Sequence, residues 1–100
     1  MKLPKSVKLG CFEYEVKEDK DENMPEFLGD MNPYIKRIRV RKNMEDQVKR
    51  ETFLHELLHA CCDEARLPPE MEEKFVSVVS PRLFELLQRN PKLINVLLDK

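Results

Sequence analysis

No stretch of the chain approaches the roughly 18 consecutive apolar residues that a membrane-spanning helix needs. The opening segment, Met1-Lys2-Leu3-Pro4-Lys5-Ser6-Val7, lacks the apolar core of a signal peptide. Neither sign of charge predominates: 18 Lys and Arg stand against 19 Asp and Glu. That balance gives no strong overall field to draw the molecule to nucleic acid or to an anionic membrane. Three cysteines, with Cys61 and Cys62 adjacent, do not suit a disulfide framework. Internal repeats and low-complexity tracts are missing too. These absences predict a cytoplasmic protein with reduced thiols, no membrane and no nucleic-acid partner, whose function must be read from a site. Residues 1–100 are predicted to form one domain, since a chain of this size buries about 60–70% of its unfolded surface and has no room for a second core.

What is present reads as strands followed by helices. From Ser6 to Lys17 the apolar residues Val7, Leu9, Cys11 and then Phe12, Tyr14, Val16 alternate with polar ones. The phase slips at Gly10, so the stretch is one bulged strand or two short strands joined there. Glu18 to Asn23 is too charged for a core and reads as a solvated loop. Phe27 to Met31 is a further short strand, closed by the turn chemistry of Asn32-Pro33 against a strand from Tyr34 to Arg41. In that strand Ile38 and Val40 face one way, and Arg37, Arg39 and Arg41 form a wet, basic face. Asn43 is the candidate N-cap of a helix over about 44–65, and Pro68-Pro69 must end it. A second helix starts near Pro69, is kinked or split at Pro81, and stops at Asn90-Pro91. The expected class is α+β: a small antiparallel sheet of about three strands, then a helical hairpin.

The first of these helices holds both histidines of the chain, in His55-Glu56-Leu57-Leu58-His59. In this HExxH pattern the histidines are four residues apart, so on a helix they project from one face and can ligate one metal ion. Glu56, beside the first histidine, points to the flank of that face and reaches a water on the metal rather than the metal itself. The expected chemistry is zinc-dependent hydrolysis of a peptide bond, with Zn2+ acidifying the attacking water and Glu56 as general base. A catalytic zinc takes three protein ligands, and no third histidine exists. On a helical wheel Glu72 falls within the apolar stripe of Phe75, Val76, Val79, Leu83 and Leu86, which favours it as third ligand. Glu73, at the edge of the stripe, is the alternative, and Cys62 and Asp63 are fallbacks. Tyr14 and Tyr34 are candidate donors to the oxyanion, against an ordinary place in the core or on the sheet surface. The three arginines are a candidate surface for an acidic substrate segment or for nucleic acid, against a solvated strand face, which is favoured.

Thr52-Phe53-Leu54-His55-Glu56-Leu57-Leu58-His59-Ala60, preceded by short strands and followed by Glu72-Glu73, resembles small phage-encoded HExxH proteins. These are similar in turn to the ImmA/IrrE metallopeptidases and, more loosely, to SprT-like ones. The likeness spans most of the chain. It implies a zincin-like minimal fold of gluzincin type, in which a glutamate on the following helix completes the zinc site. It also implies a protein substrate, such as a phage or host regulator, in a bacterial or phage-infected cytoplasm. Where the ImmA/IrrE group carries a Glu-Ala-Asn-like motif, this chain has Glu73-Lys74-Phe75. Within the peptidase reading, an extended peptide would pair with a sheet edge, the Tyr34 to Arg41 strand being the candidate. The competing expectation is a zinc-binding structural or interaction module with a vestigial, non-catalytic HExxH.

Overall fold

The computed structural model describes residues 2–100. It is an α+β fold in which a four-stranded mixed sheet precedes the helices. The alternating stretch at the start becomes two strands, β1 (Ser6–Leu9) and β2 (Phe12–Asp19), paired antiparallel with Leu9 opposite Phe12. Gly10 takes φ 62°, and glycine at the first of two turn positions is what a type II′ hairpin requires. The chain then leaves through a 3-10 turn at Asp21–Asn23 and forms β3 (Gly29–Asn32) at the far edge. It returns as β4 (Arg37–Arg41), inserted between β2 and β3.

That insertion corrects the expected all-antiparallel, three-stranded sheet. β4 pairs antiparallel with β3, Met31 opposite Ile38, but parallel with β2, Val16 opposite Ile38 and Glu18 opposite Val40. The strand proposed as a free edge is therefore interior, and the edges are β1 and β3. The register also explains the arginine face. Arg37 and Arg41 stand opposite Glu15 and Asp19 of β2, and Arg39 stands opposite Asp30 of β3. Arg39 bonds the Asp30 carboxylate through two nitrogens, at 3.0 and 2.5 Å, and reaches Asp19 at 3.3 Å. Arg41 donates to the Met24 carbonyl and pairs with Asp21 at 3.9 Å. Acids on the neighbouring strands and turn thus neutralise much of the basic face.

The opposite face of the sheet is the core side. Tyr14, Ile38 and Val40 are fully buried there and cluster with Ala60, and Val7, Leu9, Met31, Met44, Phe53 and Leu57 pack around them. Ala60, Phe53 and Leu57 belong to α1 (Asp46–Glu64), which lies across the sheet. The helix starts later than Asn43 suggested. Glu45 occupies the N-cap, without a side-chain cap bond, because Met44 is drawn into the core. α2 (Pro69–Arg89) begins with Pro69 in its first turn, where a missing N–H costs nothing, and packs on α1. Pro81 does not split it; the helix runs through to Arg89. A short α3 (Leu93–Leu98) follows, with none of its residues buried. The order of layers is thus sheet, α1, α2.

Two parts of the charged stretch at Glu18 to Asn23 depart from the solvated loop expected there. Glu18 ends β2 on the core side and accepts a 2.7 Å hydrogen bond from Lys49 of α1, which is 7% exposed. Asp19, on the other face, accepts from the Lys20 N–H at 2.9 Å and from Asn23 Nδ2 at 2.8 Å. Charged residues are buried here because each has a partner of opposite charge or a hydrogen bond.

Candidate functional site

α1 positions the HExxH residues by its regular pitch. Spaced one turn apart, the His55 and His59 rings have centroids 4.9 Å apart, inclined by 61°. Glu56 turns away from both towards the sheet and is 7% exposed. Its place is made by β3. A side chain at Gly29 would put its Cβ 2.6 Å from Thr52 Cγ2 and 3.2 Å from Glu56 Cγ, so glycine lets this strand lie directly against α1. Beside Glu56 opens a cleft of about 330 Å3, walled by Leu28 and Gly29, by Thr52 and His55 of α1, and by Pro81 and Phe84 of α2.

The electrostatics follow from this partial enclosure. Burial pushes the Glu56 carboxyl up to about 7, with a smaller upward contribution from Asp30 and Glu73 and an opposing pull from His59. Its carboxylate has no hydrogen-bond partner among the described residues, so it is held in the cleft with its acceptor capacity free. Burial also lowers His55, and the neighbouring His59 adds to the effect. A neutral imidazole keeps the lone pair that a metal requires.

α2 brings two carboxylates to His59, one for each ring nitrogen. Glu72 Oε2 lies 2.8 Å from Nδ1, and Glu73 Oε2 lies 3.7 Å from Nε2. The wheel argument ranked their exposure correctly, since the Glu72 side chain is 21% exposed and that of Glu73 72%. Among the described residues no three His, Cys, Asp or Glu side chains converge into a preformed metal cage. The donor set nevertheless suits zinc. Two donors bound tetrahedrally at 2.0–2.1 Å sit about 3.3–3.4 Å apart, a few tenths of an ångström closer than Glu73 and His59 Nε2 stand here. Glu73 is also near enough to act electrostatically on His55.

The remaining candidates lie elsewhere. The Tyr14 hydroxyl is buried and donates to Glu64 Oε2 at 3.0 Å, which with burial drives its pKa upward. Tyr34 is 93% exposed. Neither lines the cleft. Asp63 faces Lys36 at 3.8 Å, and Cys62 is buried with a thiol raised chiefly by burial. Sequence reasoning missed Gly29, Pro81 and Phe84, whose meeting with α1 depends on the strand order and on the packing of α2; only the odd placement of Pro81 within a helix hinted at it.

The chain matches no protein-family model, and comparison with curated proteins and with solved structures gave no significant match. No helix among the described residues is long and apolar enough to cross a membrane.

Proposed function

We propose that this chain is a zinc-dependent metallopeptidase of zincin-like type, acting on a peptide bond in a protein substrate. The observation that carries the reading is the conjunction, along one turn of α1 and the start of α2, of two adjacent imidazoles, a buried and unpartnered Glu56, and two carboxylates on the second imidazole. In this reading His55, His59 and Glu73 hold the ion, and Glu72 fixes the ring of His59 by bonding Nδ1, the usual service of a carboxylate behind a ligating histidine. This division reverses the preference the wheel gave to Glu72. When bound, zinc supplies Lewis acidity that polarises the peptide carbonyl and acidifies the attacking water.

Glu56 takes the proton of that water and returns it to the leaving amine. A base held near neutrality can do both. The substrate backbone pairs with β3, the free sheet edge against Glu56, in place of β4. Free thiols at Cys11, Cys61 and Cys62 fit a cytoplasmic setting, bacterial or phage-infected, with a phage or host regulator as substrate. The pairing of Arg39 and Arg41 with neighbouring acids gives nucleic acid little to bind.

A second reading, a zinc-binding interaction module without catalysis, draws support from the exposed apolar residues Met71, Phe75, Val78 and Leu86 along α2. Metal analysis of the purified chain, with cleavage of a proteome-derived peptide library by wild type and Glu56→Gln, separates the two. One zinc per chain with cleavage lost in Glu56→Gln supports the peptidase. Zinc without cleavage in either form supports the module, and no zinc overturns both.

A further inference from the structure

We propose that the cleft beside Glu56 is a side-chain pocket that selects a bulky aromatic residue, tyrosine above phenylalanine, next to the bond being cleaved. This rests on the peptidase reading for its place in a reaction, but the pocket itself is tested without one. Its volume of about 330 Å3 is at the small end of the roughly 300–1,000 Å3 of ligand sites, room for one large side chain rather than a folded segment. At about 30 Å3 per molecule it holds on the order of ten waters. Leu28, the Pro81 ring and Phe84 give those waters apolar walls, so their release favours an apolar occupant.

The pleat of the sheet points such an occupant into the cleft. Gly29 faces α1, as its closeness to Thr52 and Glu56 shows. A peptide residue paired opposite Gly29 across the free edge projects its side chain to the same face, beside Leu28 and towards Phe84. Because Gly29 has no side chain, that neighbour has space to turn inward.

Two polar groups then discriminate. Ser80 is 5% exposed and borders the cleft. A hydroxyl in the wall of a cleft exchanges a hydrogen bond with the phenol of a tyrosine and not with phenylalanine or leucine. Glu51, at the same cleft, repels an acidic side chain.

The test is a titration of the full chain with N-acetyl-tyrosine amide, N-acetyl-phenylalanine amide and N-acetyl-aspartate amide, followed by backbone amide NMR. Tyrosine amide is expected to shift the signals of Gly29, Thr52 and Phe84 and to bind about tenfold tighter than aspartate amide. Ser80→Ala should bring tyrosine down to the phenylalanine level, and Phe84→Leu should weaken both aromatic probes at least threefold. Absence of shifts at those three residues, or equal binding of the aspartate probe, overturns the pocket. The peptide library distinguishes this from failure of the peptidase reading. Cleavage without aromatic enrichment at a fixed position removes the pocket and leaves the enzyme; aromatic binding without cleavage does the reverse.

Discussion

At His59 one imidazole meets two carboxylates, and their different nitrogens give them different consequences when removed. His59→Ala should abolish stoichiometric zinc, and Glu73→Gln should weaken it severely. Glu72→Gln, which leaves the ring less well oriented, should cost 10- to 100-fold in affinity. Competition with a chromogenic chelator measures all three; an equal loss in the two glutamate variants would contradict the division. Asp19 offers a prediction of another kind. Hydrogen bonds from Asn23 and the Lys20 N–H, then the charge of Lys17 and a hydrogen bond from Arg39, lower its carboxyl from the ordinary 3.8 to about 2. A carboxyl lowered on folding stabilises the fold above its unfolded value and loses that contribution as pH falls through about 2. Wild type should therefore exceed Asp19→Asn in urea resistance at pH 6, with the gap closing between pH 4 and pH 2. The histidine pair was legible in the sequence because its geometry is set by one helical turn. Asp19 was not, since Arg39 reaches it only through the order of the strands, and a charged stretch looks the same from the sequence whether or not its acids are paired.

Among the elements, β3 is the one whose position rests on a missing side chain. Gly29→Ala puts a methyl group 2.6 Å from Thr52 Cγ2 and 3.0 Å from the Arg39 carbonyl, so strand and helix must part. A loss of about 1–3 kcal/mol is expected, the usual cost of overpacking, read as a lower urea midpoint. α2 gives the opposite expectation. Pro81 removes one backbone donor from the interior of a helix, at a cost of up to about 3 kcal/mol. Pro81→Ala should raise the melting temperature while weakening aromatic binding in the cleft, because it trades a wall of the pocket for a regular helix. The bounds of α1 and α2 were readable within a few residues from apolar spacing and from Pro68-Pro69 and Asn90-Pro91, and the break at Gly10 from the slip in alternation. The parallel pairing of β2 with β4 was not readable. Alternation fixes which face a residue takes, and carries no information on which strand lies beside it.

The whole molecule has a radius of gyration of 13.7 Å, close to the roughly 13 Å of a compact chain of 100 residues. Its packing is uneven all the same. Val96, Leu97 and Leu98 of α3 are 76%, 66% and 58% exposed, so little burial holds that helix in place. Its amide hydrogens should exchange well before those of β4, as measured by hydrogen–deuterium exchange. With a net charge of only −1 there is also little repulsion between copies to keep these apolar residues apart. Smallness has a further consequence at the sheet edge. β3 has four residues, which at about 3.4 Å each span about 14 Å. It is a short ruler: a peptide laid along it is gripped over some four residues and runs free beyond them. In the proposed peptidase role such a grip reads a brief phrase rather than a long sentence, which suits exposed loops of otherwise folded proteins and rests selectivity on one well-anchored word.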